Sequence, residues 1–334
     1  MMYKLSRAVG GPISRALKLW AGYRIAVRPY RRDGSGFHSD LKSCMIPWSP
    51  AISSARLRLL LAGIEQLEGQ ISHCTMSFEA VPRMLVRVPL PWPYLAMSRV
   101  TLEASSRIIY LTDPKIDVEQ RLMRFAALSL WSFNEGLRAT RASAGRLSSE
   151  MMNDITVSIQ RDLMAFEKTI HDAGFEVFKG KDGTRASVVR DPLGNRRAEV
   201  SSLNISEVLE TQFPGVGGEI YRRYSGFIHG TPSAHYAAMQ PYSEELFVPA
   251  LSDQTVAETY MIVIQAVRRA MGHASNYGGF PFHRSDNNME KALKAVRKEL
   301  THLYERETGH VVGHKPRPWH VLVQRLPKHA SSED

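Results

Sequence analysis

The stretch Glu219 to His235, EIYRRYSGFIHGTPSAH, gathers residue types able to act on a phosphate ester. If Val216 to His229 is helical, a step of roughly 100° per residue puts Arg222, Ser225, Gly226 and His229 in one row, at i, i+3, i+4 and i+7. Arg223 then points away. The row combines a fixed cation, a hydroxyl, a position without a side chain and an imidazole that titrates near neutrality. Gly230, Thr231 and Pro232 should end the helix just after His229, leaving it at a C-terminus whose dipole attracts positive charge. The same residue types also make a plain packing network that pins a helix to its neighbours.

A second polar row lies upstream. In SRVTLEASSRIIYLTDP, Ser98 to Pro114, the residues Arg99, Glu103 and Arg107 stand at i, i+4 and i+8. Such a row is ordinarily a solvated face. Here Leu95, Val100, Leu102, Ile108, Ile109 and Leu111 make the other sides apolar, so the helix should be central and its charges should need partners. Arg222 or Arg223 is the expected cation for Glu103, which predicts that the two helices lie side by side.

Taken together, these two segments resemble a group of bacterial helical proteins, common in actinobacteria, that pair an R-x3-E-x3-R helix with a Y-R-x2-S-x3-HG helix. The resemblance covers roughly residues 51 to 275. That group is in turn similar to the HEPN superfamily of helical domains, whose nucleolytic members carry an Arg, four to six residues, then a His. Arg223 and Arg222 both meet that spacing to His229. The residue after the arginine is commonly Asn, Asp or His in the active nucleases; in this chain it is Arg223 or Tyr224.

The resemblance implies RNA cleavage without a metal or other cofactor, in defence or stress response, with a site often assembled from two protomers. His229 would exchange a proton with a ribose 2′-OH or the leaving oxygen. Arg222 would stabilise charge on the scissile phosphate, and Glu103 would orient either group. Tyr221 or Ser225 would donate to the phosphate, and Arg99, Arg107 and Arg223 would help hold the substrate. The alternative is a non-catalytic binding or sensor module in which the same polar groups serve packing.

Composition bounds these readings. At 334 residues and 43% hydrophobic, the chain can build a substantial core. Its two cysteines, Cys44 and Cys74, form neither a CxxC nor a ligand-spaced set, which fits a reducing cytoplasm. No apolar run approaches the roughly 18 residues of a spanning helix. The net charge of +10 is concentrated at the N-terminus: residues 1–50 hold nine Lys/Arg against two Asp, whereas residues 51–308 are close to neutral. Attraction to nucleic acid or an anionic membrane would come mainly from that segment. It fits a presequence, since Ile13, Leu17, Trp20 and Ala21 would share one face of a basic helix, a surface-binding arm or a loosely ordered extension, and the last is the expectation.

Apolar periodicity predicts the positioning elements. Helices are expected near 51–71, 94–111, 118–140, 148–173, 204–211, 216–229, 253–273 and 287–307. Residues 33–54 and 72–93, rich in Gly, Ser or Pro, read as linker and extended connection, and His283 and Arg284 fall in a loop. The last helix spaces Met289, Leu293, Val296, Leu300 and Leu303 as a coiled-coil seam, to pair across a homodimer or pack on the body. His310, His314 and His320 lack the support a metal site needs. The chain is thus expected to be mainly all-α, a multi-helix HEPN-like bundle over 51–308. A small β-hairpin is expected near 175–190, a detached segment over 1–50 and a flexible tail over 309–334.

Overall fold

The computed structural model describes residues 5, 8–18, 33–46, 48–84, 91–143, 148–179, 186–195, 197–199, 205–215, 217–229, 239–241, 247–249 and 252–308. Among these, helices dominate. In chain order they are α1 (8–18), α2 (Gly36–Met45), α3 (Pro50–Arg83), α4 (Pro91–Leu111), α5 (Val118–Ala142) and α6 (Ser149–Asp172). After a small sheet come α7 (Ile205–Gln212), α8 (Gly217–Ile228), α9 (Asp253–Gly278) and α10 (His283–Thr308). The expected mainly all-α class is what the chain adopts.

Short polar residues start these helices by accepting a backbone N–H that has no partner within the first turn. Ser35, Asp117, Ser148 and Ser252 accept from the amides of His38, Gln120, Met151 and Thr255, at 2.9 to 3.2 Å. Helix α3 departs from the expected end at Ile71. Its apolar spacing continues through Cys74, Phe78 and Val81, all buried, and Pro82 falls only in the last turn. The prolines therefore mark where the helix stops, and residues 85–90 of the expected connection lie outside the described residues. Helix α10 likewise begins at His283, so His283 and Arg284 are helical.

Helix α4 lies against α3 on one side and α9 on another, with α8 also packed against it. Its buried positions include Ser98, Thr101, Ala104 and Ser105, small side chains that let neighbouring backbones come close. Thr101 Oγ1 lies 2.9 Å from Ser77 Oγ of α3, and the Tyr94 hydroxyl donates to the Val256 carbonyl of α9 at 2.9 Å. Helices α3 and α5 approach so tightly that a Cβ on Gly63 would overlap the Phe125 ring. The middle of α9, Tyr260 to Val267, is buried throughout. The seam of α10 is covered by the same chain: Met289, Leu293, Val296 and Leu300 are buried, and α10 packs on α9.

Strands β1 (Glu176–Lys179), β2 (Ala186–Arg190) and β3 (Arg197–Glu199) form an antiparallel meander over α5. Val177 pairs with Val189, and Val189 with Ala198. The hairpin expected near 175–190 is present, extended by a third strand across the Asp191 turn. A further two-stranded pair joins β4 (Met239–Pro241) to β5 (Phe247–Pro249).

The N-terminal segment differs most from expectation. Leu5, Val9, Ile13, Ala16 and Leu17 belong to the core, and the Ser285 hydroxyl of α10 reaches the Ala16 carbonyl at 3.4 Å. Helix α2 buries Phe37, Asp40 and Cys44 in what was read as linker. The physical reason is that Val9, Ile13, Ala16 and Leu17 recur at helical spacing among the basic residues, and one apolar stripe suffices for docking. Average composition conceals such a stripe. Residues 19–32 and the tail at 309–334, with His310, His314 and His320, lie outside the described residues.

Candidate functional site

Helix α8 is fixed at three points. At its start, the Glu210 carboxylate accepts the amides of Gly218, at 2.9 Å, and Gly215. These backbone donors hold Glu210 below the usual carboxylate range. Gly217 lies against the Leu209 carbonyl, where any Cβ would overlap backbone atoms, so only glycine permits this tight α7–α8 turn. In mid-helix, buried Tyr224 donates to Thr259 Oγ1 of α9 at 2.8 Å. One turn earlier, the Tyr221 hydroxyl donates to Glu103 Oε1 of α4 at 3.0 Å.

Glu103 is the hub of the α4 row. Its Oε1 accepts Arg99 Nε at 2.8 Å, and its Oε2 lies 3.7 Å from Arg107 Nη2. The side chains of Arg99, Glu103 and Arg107 are only 16%, 20% and 17% exposed, so these contacts act in partly desolvated surroundings. Arg99 Nη2 lies 3.3 Å from the Tyr221 oxygen, and the guanidinium stands 5.3 Å from the Tyr221 ring centroid. The Arg107 guanidinium stands 5.2 Å from the Trp131 ring centroid. Burial raises the Tyr221 pKa, and the nearby Glu103 carboxylate raises it further against the pull of Arg99, so this phenol remains a donor. For Arg99, burial is outweighed by Tyr221 and Glu103, which keep it firmly cationic.

His229 completes the group. Its amide bonds the Ser225 carbonyl at 3.0 Å, closing the last turn, and its side chain is exposed. Nε2 lies 3.4 Å from Arg99 Nη1. The arrangement therefore offers an accessible imidazole beside a cation whose other edge is anchored. Two basic groups share one carboxylate, which leaves net positive charge beside the imidazole.

The two predicted rows do lie side by side, with Arg99, Glu103, Arg107, Tyr221 and His229 brought together. Of the two cations expected for Glu103, Arg222 does not reach it. Arg222 is exposed, and its electrostatic neighbour is Glu210 at the other end of the helix. Helix α8 docks through Tyr221 and Tyr224, which turns Arg222 outward, and among the described residues Glu103 takes its cations from its own helix. The Arg222–His229 pairing along one face is replaced by Arg99–His229 across two helices. Ser225 contributes its carbonyl to the turn. The Arg223 side chain and Gly230 to Tyr236 lie outside the described residues.

Sequence reading also passed over Trp131 and the polar cluster of Asp40, Arg121, His273 and Tyr277, of which only the i, i+4 spacing of His273 and Tyr277 on α9 was a signal. Among the described residues no group of three or more His, Cys, Asp and Glu could hold a metal ion, and no helix is long and apolar enough to cross a membrane. No family model, curated protein or solved structure matches this chain.

Proposed function

We propose that the α4/α8 face cleaves RNA without a metal, with His229 as the proton-transfer group and Arg99 as the phosphate-binding cation. One observation carries this reading: an exposed imidazole sits 3.4 Å from an arginine that Glu103 and Tyr221 hold in place. In the scheme, His229 takes the proton of a ribose 2′-OH as that oxygen attacks the adjacent phosphorus. The P–O5′ bond breaks, water supplies the proton of the leaving 5′ oxygen, and a 2′,3′-cyclic phosphate remains. Arg99 balances the charge gathering on the non-bridging oxygens. Glu103 and Tyr221 act as positioning residues, and Arg107 adds positive potential along α4. The resemblance to HEPN nucleases supports the same chemistry, with Arg99 in the role expected of Arg222, and a composite site between two copies would follow that family.

A second reading has its own support. Glu103 already receives Arg99, Tyr221 and Arg107, as a network built to join two helices would require. On that reading the chain is a binding or sensor module. Purified protein incubated with mixed RNA, with and without chelator, separates the two. The nuclease reading predicts chelator-resistant fragments with 2′,3′-cyclic phosphate ends, and the binding-module reading predicts intact RNA in monomeric and dimeric fractions alike.

A further inference from the structure

Helix α10 turns one side to α9 and the other to solvent. Met289, Ala292, Leu293, Val296 and Leu300 are buried, and α10 packs on α9. From Arg284 to Thr301 the exposed positions are Arg284, Asn287, Lys291, Lys294, Lys298 and Thr301. They follow one another at steps of three and four, which lines them up as one stripe along the helix. Four of the six are cations, and none is acidic or apolar.

The acids of this stretch are placed elsewhere. Asp286 and Glu290 are partly buried and both bind Arg268 of α9, Asp286 Oδ2 at 2.9 Å from Nη2 and Glu290 Oε2 at 2.5 Å from Nη1. Glu290 Oε1 also lies 3.6 Å from Arg297 Nη1. Glu299 is partly buried too. Among the described residues, Arg284, Lys291, Lys294 and Lys298 enter no ion pair. In sequence these cations are interleaved with Asp286, Glu290 and Glu299, so the one-sided charge appears only once α10 has docked. Helix α1 adds to it where the Ser285 hydroxyl reaches the Ala16 carbonyl, for the exposed Arg15 and Lys18 stand one and two residues from Ala16.

A row of cations with no acid among them attracts anions. From Arg284 to Lys298 it runs about 21 Å at 1.5 Å per residue, too long for one small anion to match. A nucleic-acid duplex holds its phosphates in a fixed array, and at about 3.4 Å per phosphate on each strand a row of this length spans about six. A single strand would call for aromatic side chains on which its bases stack, and the stripe has none. A bilayer would call for an apolar face to insert. The apolar side of α10 is spent on the core, and the exposed large hydrophobic side chains lie on other elements.

We infer that the solvent face of α10, continued by Arg15 and Lys18 of α1, binds the phosphate backbone of a nucleic-acid duplex without reading its sequence. Lysine and arginine contacts to phosphates fix position and supply affinity that falls with salt. The inference is independent of the α4/α8 scheme, because duplex DNA lacks the 2′-OH which that scheme needs.

The test follows binding of the full chain to a fluorescent DNA duplex of about 20 base pairs by anisotropy over a series of salt concentrations. One variant carries Arg284→Gln, Lys291→Gln, Lys294→Gln and Lys298→Gln; a charge-matched control carries Arg58→Gln, Lys115→Gln, Arg141→Gln and Lys168→Gln, exposed cations scattered over other elements. All eight side chains face solvent, so both proteins should keep native circular dichroism. The stripe variant should bind at least about tenfold more weakly, with a log–log salt slope shallower by about 3 to 4, and the control should stay within about threefold of the unsubstituted chain. An RNA duplex of the same sequence is run beside the DNA; the same loss with either supports the inference, and the tighter of the two identifies the physiological duplex. Equal losses in the two variants, unchanged binding by the stripe variant, or displacement of the duplex by phosphatidylserine vesicles at equal phosphate concentration would each overturn it.

Discussion

Arg99 Nη1 and His229 Nε2 lie 3.4 Å apart, although 130 residues separate them in the chain. Their meeting depends on the α4/α8 contact, where Tyr221 donates to the same Glu103 oxygen that accepts Arg99 Nε. Anything that shifts α8 on α4 must therefore separate the cation from the imidazole.

Glu103→Gln should loosen that contact. Arg99 and Arg107 would lose their carboxylate, and the Tyr221 hydroxyl a charged acceptor. For hydrogen bonds to a charged, mostly buried group the expected loss is about 1 to 3 kcal/mol. Chemical denaturation would read this as a lower midpoint at unchanged slope. An unchanged midpoint would show that the network does not hold the helices together.

The cap at the start of α8 should add acid sensitivity. Backbone donors depress the folded-state pKa of Glu210, whose usual value is 4.5. A group depressed on folding contributes stability that is present above its unfolded pKa and lost as pH falls through its folded pKa. The loss should thus begin near pH 4.5 and continue below it. Glu210→Gln should flatten this part of the stability profile, and an identical acid limb in both proteins would contradict the assignment.

Both thiols should be silent in the folded chain. Burial is the main cause that pushes Cys44 and Cys74 up to about 12. Labelling with a disulfide reagent at pH 8 should be slow in buffer and reach two thiols per chain only in denaturant. Rapid native labelling would mean that the helices around these thiols open readily.

How much could be read beforehand depended on which signal carried it. The helices expected at 118–140 and 253–273 followed from apolar spacing, and the bounds of the one expected at 148–173 match α6 closely. The pairing of α4 with α8 followed from the need of Glu103 for partners. Its partners did not, because Arg222 and Tyr221 are adjacent in sequence and only the docking angle of α8 decides which turns inward. Helix α1 was legible in Ile13 and Leu17 on one face of a basic helix, but eight basic residues with no acid in the first 32 positions outweighed that face and favoured a loosely ordered extension.

Helix α1 therefore invites its own test. Ile13 is 1% exposed, and truncating such a side chain costs about 2 to 5 kcal/mol. Ile13→Ala should lower the thermal midpoint by many degrees. A shift within error would restore the view of residues 1–50 as detached from the fold.

Rates of RNA cleavage by Arg99→Ala, His229→Ala and Arg222→Ala, each checked for native circular dichroism, bear most directly on the central claim. The account predicts a loss of about 10²- to 10⁴-fold for Arg99→Ala and His229→Ala. It predicts a change below about threefold for Arg222→Ala, whose side chain faces solvent beside Glu210. Full activity in Arg99→Ala, or a collapse of activity in Arg222→Ala alone, would contradict it.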